Sequence, residues 1–269
     1  MQNASSADET ARFSVAGRSI LITGATGAMG TTAALSLVRA GANVTAAGGD
    51  SARLSALIKE LHEEQVTGSL CTVAGRPDSP ETAATLVEAA VSAYGRLDGL
   101  IVASGQNKVA PIQDMPVDDF DAVMDANVRG SWLACQAATR QLLMQGDGGS
   151  IVLVSSTRGK LGHPAGYSAY CPSKAAVDLL AKSLAAELGP QKIRVNAVAP
   201  TVFRSDLTAW MYADDEKGRT AREGMLARIP LGRLAEPDDF IGSLMYLLSN
   251  ASSFVTGQVL YLDGGYTAC

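Results

Sequence analysis

SILITGATGAMG, residues 19–30, places an apolar strand, a glycine-rich turn and the start of a helix in immediate succession. Glycine allows a tight turn and a close approach of the backbone to a phosphate, and the free N–H groups of a helix N-terminus attract anions. This order of strand, loop and helix predicts a dinucleotide site. Its phosphate-binding residues are expected to be Gly24, Thr26, Gly27, Met29 and Gly30.

The rest of the chain repeats this alternation of short apolar runs and longer helical stretches. It predicts strands at 19–23, 43–47, 70–73, 97–103, 150–155, 193–198 and 259–262, and helices at 31–40, 53–63, 81–94, 117–145 (one or two helices), 173–188 and 237–249. The order predicts an α/β fold: a doubly wound parallel sheet, Rossmann-like, with helices on both faces. We expect a flexible N-terminal tail over 1–14 and a single domain over 15–269. The charged segment 203–230 is predicted to be a lid or binding loop, with a plain surface helix and loop as the alternative.

Composition excludes several classes of function. The net charge of −5 disfavours nucleic acid as a partner, because phosphate backbones bind basic faces. Four cysteines without a CxxC pair and only two histidines argue against a metal site, and they indicate reduced thiols in a cytoplasmic protein. No apolar run reaches the roughly 18 residues of a membrane span, and the polar N-terminus lacks the features of a secretory signal.

Tyr170 and Lys174 form the candidate catalytic pair. Their i, i+4 spacing puts both side chains on one helix face. Pro172 between them is tolerated only in a first turn, so the helix is expected to begin close to Tyr170. An adjacent ammonium is expected to lower the pKa of a phenol and prepare it for general acid–base catalysis. A serine pair, Ser155 and Ser156, follows an unbroken apolar strand, at the sheet edge where open α/β sheets bind ligands.

These features together resemble the short-chain dehydrogenase/reductase family over about Val15 to Tyr266. The nucleotide loop TGATGAMG, the YCPSK of the catalytic pair, and Ser156 three residues before Gly159 all fit its pattern. Further similar segments are DANVRG at 125–130, IRVNAVAP at 193–200, PLGR at 230–233, and TGQ through DGG at 256–265. The resemblance implies an NAD(P)-dependent oxidoreductase that transfers a hydride between a nicotinamide cofactor and a secondary alcohol or ketone.

The resemblance also implies roles for particular residues. Tyr170 is the acid/base, and Lys174 lowers its pKa and binds the nicotinamide ribose. Ser156 orients the substrate oxygen, with Ser155 the less favoured serine, and Asn127 supports a proton relay. Besides the loop and the catalytic pair, the implied cofactor-binding residues are Gly105, Pro200, Val202 and Ser205. The family also implies a homotetramer, with the helix at 173–188 and the C-terminal strand at its interfaces.

The adenosine side departs from the family pattern at three places. VASG stands at 102–105, Val73-Ala74-Gly75-Arg76 replaces a segment that carries an aspartate, and Gly48-Gly49 occupies the position that discriminates the ribose. Nearby, Asp50 is a residue type that binds the ribose 2′-OH of NAD, whereas Arg53 is a type that binds the 2′-phosphate of NADP. The choice between NAD and NADP therefore stays open. One hypothesis is that Arg76 or Arg53 meets a 2′-phosphate; the alternative is that both face solvent.

The substrate is a small molecule whose identity the sequence leaves open. Two arginines suggest a carboxylate, because guanidinium forks suit carboxylates, and they make a polar or anionic, sugar-acid-like substrate a candidate; surface placement is the alternative. The candidate substrate residues are Arg158, His163, Tyr167, Arg204 and Trp210, with Tyr212 beside them. Two other functions compete: a nucleotide-binding regulator without turnover, and a sugar-nucleotide epimerase, whose GxxGxxG spacing Gly24, Gly27 and Gly30 also fit.

Overall fold

The computed structural model describes residues 10–62 and 64–269. Seven apolar segments of this part of the chain pair into one sheet in which every neighbouring pair is parallel. The strand order is β3-β2-β1-β4-β5-β6-β7, so the chain reverses direction across the sheet between β3 and β4. The strands are β1 Ser19–Thr23, β2 Asn43–Gly48, β3 Ser69–Ala74, β4 Gly99–Val102, β5 Gly149–Val154, β6 Ile193–Pro200 and β7 Val259–Leu262.

Helices cover both faces of this sheet. One face packs on the helices at 80–94, 130–145 and 170–188 through Leu86, Leu133 and Val177, and the other on the helices at 28–39, 51–62 and 241–248 through Leu37, Leu57 and Leu244. This confirms the predicted doubly wound α/β architecture, because a sheet covered on both sides needs strands that are apolar throughout. The helices are α1 Ala28–Arg39, α2 Ser51–His62, α3 Pro80–Tyr94, α4 Val117–Met124, α5 Gly130–Gln145, α6 Tyr170–Leu188, α7 Glu216–Leu226 and α8 Ile241–Leu248.

Two predicted helices differ in detail from the observed ones. The stretch at 117–145, predicted as one or two helices, contains two, α4 and α5, which are joined by an unpredicted π-helical turn, Asp125–Arg129. Helix α6 begins at Tyr170, three residues before the predicted bound of 173, with Pro172 in its first turn. The start close to Tyr170, which Pro172 indicated, is thus observed.

The predicted tail and lid also have more structure than expected. Residues 1–9 lie outside the described part of the chain. Of the remainder, the Arg12 carbonyl accepts a hydrogen bond from the Ala251 N–H (2.9 Å), and the Phe13 ring lies 6.2 Å from that of Tyr246. The segment at 203–230 folds into a 3₁₀ turn, Asp206–Tyr212, followed by α7. Among the described residues, no helix combines the length and apolar character needed to cross a membrane.

Candidate active site

The candidate acid/base lies where α6 meets the carboxyl edge of the sheet. Tyr170 is the first residue of α6, and β5 ends just before the serine pair. Burial raises the pKa of Tyr170 to about 12, although the neighbouring Ser156 hydroxyl lowers it in part. A net lowering of the Tyr170 pKa is therefore not observed, because desolvation of the phenolate dominates, and the role of Lys174 stays a prediction.

Lys174 lies one helical turn further on, almost completely buried. Its Nζ donates to the Val154 carbonyl at 2.8 Å and lies 5.7 Å from the centroid of the Tyr170 ring. Burial lowers the pKa of Lys174 to about 8, and the nearby Asp178 carboxylate raises it in part. The lysine is thus held toward β5, while Ser155 is held away from the phenol because its hydroxyl bonds the Lys174 carbonyl (3.2 Å).

Asn127 is connected to the catalytic helix through hydrogen bonds. It lies in the π-helical turn, fully buried, and its Nδ2 donates to the Ser173 hydroxyl at 2.9 Å. That hydroxyl in turn donates to the Tyr170 carbonyl at 2.7 Å. The amide also makes two hydrogen bonds with the backbone of Gln106, at 2.8 and 2.9 Å. Ser173 and Gln106 were not predicted, because their hydrogen bonds with Asn127 join segments that are distant in the sequence.

The glycine-rich loop fits a pyrophosphate. The N-cap of α1 is Gly27, whose missing side chain leaves the first N–H groups of the helix without a side-chain acceptor. A Cβ on Gly24, which has φ of +74°, would collide with the Ser104 backbone, and one on Gly30 would collide with the Gly24 carbonyl. Met29 is buried beneath the loop. The loop therefore needs glycine for its own shape and leaves helix N–H groups open toward an anion.

The residues predicted to border a nicotinamide lie in the loop after β4 and at the end of β6. A Cβ on Gly105 would lie 3.0 Å from Asn127 Oδ1 and 3.5 Å from Lys174 Nζ, so this glycine sits between two catalytic candidates. Pro200 ends β6, and Val202 follows in the loop, where its carbonyl accepts from the Ala235 N–H (3.4 Å). Ser205 instead caps the turn at 206–212, with its hydroxyl 3.1 Å from that of Thr208.

The adenosine side is built from small residues and two arginines. A Cβ on Gly48 would meet the Thr26 side chain, and one on Gly49 would lie 2.6 Å from Arg76 Nε. Arg53 is already paired: its guanidinium contacts Asp206 (2.6 Å) and Asp50 (3.5 Å), and donates to the Thr26 carbonyl (3.1 Å). Arg76 has no such acidic partner among the described residues. It is therefore the better of the two hypothesised 2′-phosphate ligands.

Three of the predicted substrate residues lie together beside the phenol. The rings of His163 and Tyr167 stack at 4.4 Å, and Tyr167 meets Tyr170 edge-on at 5.8 Å. Arg158 follows Ser156 closely, since its N–H donates to the Ser156 hydroxyl at 3.2 Å. His163 and Tyr167 also line a cleft of about 690 Å³ between the loops at 111–113 and 162–172.

The other two predicted substrate residues have partners elsewhere. Arg204 pairs with Glu236 (3.3 Å) and lies 4.1 Å above the Tyr212 ring. Trp210 is half exposed and lies under Lys217. In the described contacts, neither touches a catalytic candidate. The structure places Arg228 and Tyr266 beside Arg158 instead; both were missed, because their proximity depends on tertiary contacts.

A metal has no evident place in this site. In the part of the chain that the structure describes, no group of three or more His, Cys, Asp or Glu side chains is arranged to hold one. The site thus combines an anion-binding loop with a tyrosine, a lysine, a serine and an asparagine. It resembles that of one family in both sequence and geometry.

A family model described as enoyl-(acyl carrier protein) reductase matches residues 24–267. The chain belongs to the short-chain dehydrogenase/reductase family. An uncharacterized oxidoreductase of Mycobacterium tuberculosis is 65% identical over 259 residues, which are 96% of this chain and 94% of that protein. An L-rhamnose 1-dehydrogenase (NAD(P)+) of a Sphingomonas species is 35% identical over 253 residues, covering 93% and 96%.

A solved structure extends this similarity to three dimensions. A gluconate 5-dehydrogenase of Burkholderia cenocepacia, in complex with NADP and tartrate, superposes with a TM-score of 0.88 at 28% identity, covering 97% of this chain and 99% of that one. This short-chain dehydrogenase/reductase is thus an NAD(P)-dependent oxidoreductase acting on CH–OH groups, an alcohol dehydrogenase or ketone reductase. The competing regulator and epimerase hypotheses have no observation in their favour.

Proposed function

We propose that the enzyme interconverts a secondary alcohol and a ketone on a small polyhydroxylated substrate, with Tyr170 as the acid/base. The observation that carries this is the position of the Tyr170 phenol next to Ser156, with the backbone carbonyl of Tyr170 linked through Ser173 to Asn127 and with Lys174 one turn away. The substrate class is supported by the similarity to an L-rhamnose dehydrogenase and a gluconate dehydrogenase.

Each catalytic residue has a distinct task in this proposal. When bound, the nicotinamide ring supplies or takes up the hydride. The Ser156 hydroxyl orients the substrate oxygen toward the phenol. Since burial holds the pKa of Tyr170 near 12, the phenol is protonated at neutral pH and ready to donate its proton to a ketone oxygen. Lys174 and Asn127 position the cofactor and the proton path, with Gly105 leaving space between them.

The cofactor is proposed to lie across the carboxyl edge of the sheet. Gly24, Thr26, Gly27, Met29 and Gly30 form the pyrophosphate loop. Gly105, Pro200, Val202 and Ser205 border the nicotinamide, together with the catalytic pair. At the adenosine end, the unpaired Arg76 guanidinium over Gly49 supports a preference for NADP, because a 2′-phosphate is the group that such a cation would bind.

A cofactor-resolved substrate screen tests this function. The enzyme is assayed with NAD(H) and NADP(H) against polyols, aldoses and ketoses by the absorbance change of the reduced cofactor. Tyr170→Phe is expected to abolish turnover while binding NADPH as the wild type does. Tyr246→Phe, on the far side of the domain, is the matched control. Turnover retained in Tyr170→Phe contradicts the proposed acid/base.

The assembly is proposed to be a homotetramer in the cytoplasm. An apolar groove between the π-helical turn and α6, lined by Val128, Trp132, Leu179 and Leu180, supports a subunit interface there, because large exposed apolar patches mark interaction sites. The C-terminal strand β7 is only half-buried. All four cysteines are unpaired, which fits a reducing compartment. Sedimentation of the wild type and of Leu179→Glu tests the interface.

A further inference from the structure

Two arginines from distant parts of the chain lie against one buried aromatic ring. The Arg158 guanidinium carbon lies 5.5 Å from the centroid of the Tyr266 ring, and that of Arg228 lies 4.3 Å from it. Arg158 is 9% exposed, whereas Arg228 is exposed at the end of α7. The Tyr266 side chain is completely enclosed. Both cations therefore contact the Tyr266 ring, Arg158 from the protein interior and Arg228 from the surface.

This pair of cations lacks a counter-charge. Among the described residues, no carboxylate lies within ion-pair distance of either guanidinium. The nearby Asp263 carboxylate accepts instead from the N–H groups of Gly265 (3.0 Å) and Thr267 (2.9 Å). Burying a charge without a partner is costly, and proteins ordinarily satisfy such a group with an opposite charge. The missing anion is thus expected to come from outside the chain.

Arg158 also retains hydrogen-bonding capacity. Its guanidinium donates to the Gly162 carbonyl at 3.0 Å and to the Tyr266 hydroxyl at 3.1 Å. A guanidinium has five N–H donors in a planar fork, so donors remain for a further acceptor. Two parallel N–H groups match the two oxygens of a carboxylate. Arg158 is therefore suited to a small planar anion.

The pair lies next to the reacting groups. Arg158 is two residues from Ser156, and while burial raises the pKa of Tyr170, the Arg158 charge lowers it in part. His163 is the outer member of the His163–Tyr167–Tyr170 ring contacts; burial lowers its pKa, and the charges of Arg158 and Arg228 lower it further. An anion held by the two arginines would thus belong to the molecule whose oxygen contacts the phenol.

We infer that Arg158 and Arg228 form a carboxylate-binding subsite, and that the substrate is a small hydroxy acid or its oxo-acid counterpart. This inference rests on the proposed function and narrows its substrate class. Arg204, which the sequence suggested as the second arginine, is excluded from the subsite because Glu236 neutralises it. A phosphate would use the same donors, so phosphorylated substrates form a separate arm of the test.

The test compares six-carbon polyhydroxylated substrates that differ at one end, where they carry a carboxylate, a neutral hydroxymethyl group or a phosphate. Initial rates are measured with gluconate, with the neutral polyol sorbitol and with sorbitol 6-phosphate, using whichever cofactor the enzyme prefers. Gluconate is expected to have a kcat/KM at least about tenfold above that of sorbitol, since hydrogen bonds to a charged group contribute this much. A preference for sorbitol overturns the inference, and a preference for sorbitol 6-phosphate overturns the carboxylate assignment.

Variants assign the effect to the two arginines. Arg228→Gln is exposed and is expected to fold, and it should raise KM for gluconate about tenfold while leaving sorbitol within about threefold. Arg158→Lys keeps the buried positive charge but loses the planar guanidinium fork. It should also raise KM for gluconate more than KM for sorbitol. Arg204→Gln is the matched control, because Arg204 also stacks on a tyrosine in the same segment. Equal losses on gluconate and sorbitol overturn the inference.

A binding measurement separates this inference from the proposed function. Tartrate and its neutral counterpart threitol are titrated by calorimetry into protein saturated with NADP, which occupies the phosphate-binding loop. The subsite is supported if the wild type binds tartrate but not threitol and if Arg228→Gln no longer binds tartrate. This result would support the subsite even if no substrate is turned over. Absence of tartrate binding in an enzyme that oxidises neutral polyols overturns the subsite and leaves the proposed function standing.

Discussion

The catalytic end and the adenosine end of the site are built in opposite ways. At the catalytic end, Asn127 is fully buried and Lys174 is 5% exposed, and the side chains of both have hydrogen-bonding partners at 2.8–2.9 Å. At the adenosine end, Gly48 and Gly49 offer no side chains, and Arg53 and Arg76 are exposed.

The difference follows from what each end has to do. Proton transfer needs groups held within a few tenths of an ångström in a site of low dielectric constant, so the catalytic side chains are fixed by burial and by a second layer of hydrogen bonds. Recognition of a ribose or phosphate needs charge and shape, which exposed residues can supply from several positions. Substitutions at the first end should therefore affect turnover, and those at the second should affect only cofactor choice.

The largest expected effect is that of Tyr170→Phe. Removing the phenol hydroxyl removes general acid–base catalysis, which is worth about 10²–10⁴-fold. We expect kcat to fall by that factor in the preferred direction, with the dissociation constant for NADPH, measured by fluorescence, changed less than about threefold. A loss in NADPH affinity as large as the loss in kcat would contradict the separation between the two ends.

Asn127→Ala should have the next largest effect. It leaves the Ser173 hydroxyl and the Gln106 N–H without their partners in a buried position, at a cost of about 1–3 kcal/mol in the free energy of unfolding. Because Ser173 also bonds the Tyr170 carbonyl, we expect kcat to fall about tenfold or more. Denaturant unfolding and steady-state kinetics measure the two effects. Asn43→Ala, at a half-exposed site, is the control and should change neither by much.

Arg76→Gln probes the adenosine end. If the Arg76 guanidinium binds the 2′-phosphate, KM for NADP should rise about tenfold in the variant. This is near the low end of the effect of losing a charge-assisted hydrogen bond, because Arg76 is exposed to solvent. KM for NAD and kcat with either cofactor should stay within about twofold. Arg53→Gln is the matched control, since Asp206 and Asp50 already neutralise Arg53. An equal response of both variants would contradict the assignment of Arg76.

The sequence was sufficient to predict the fold and the start of the helix that carries Tyr170 and Lys174, because each depends on local spacing. Apolar runs specify strands in a covered sheet, and Pro172 specifies where α6 begins. The π-helical turn around Asn127 could not be predicted, since a single inserted residue barely alters the apolar periodicity of the long stretch at 117–145.

Contacts between distant segments account for what was missed. Arg228 and Tyr266 approach Arg158 only in the folded chain, and the pairing of Arg204 with Glu236 likewise has no local signal. The direction of the Tyr170 pKa was wrong for a related reason: the spacing of Tyr170 and Lys174 indicates their proximity but not the burial that raises the pKa of the phenol.

Burial of the Lys174 ammonium at the catalytic end lowers the stability of the folded protein. Burial lowers its pKa from 10.5 to about 8, a shift that corresponds to on the order of 3 kcal/mol in unfolding free energy. Below pH 8 the folded protein must carry a buried ammonium, so this cost is fully present. Between about pH 8 and 10.5 the folded state releases the proton while the unfolded chain retains it, and stability rises with pH.

Lys174→Met should therefore gain stability while losing turnover. At pH 7 we expect it to be about 1–2 kcal/mol more stable than the wild type, because removing the buried charge outweighs the lost hydrogen bond to the Val154 carbonyl. The gap should close as pH rises toward 10, since the wild type is then relieved of the same charge. Urea unfolding at pH 7 and pH 10 measures it, with the exposed Lys59→Met as control. A gap that is independent of pH would mean that Lys174 carries no burial cost, and that the catalytic end is no more strained than the exposed adenosine end.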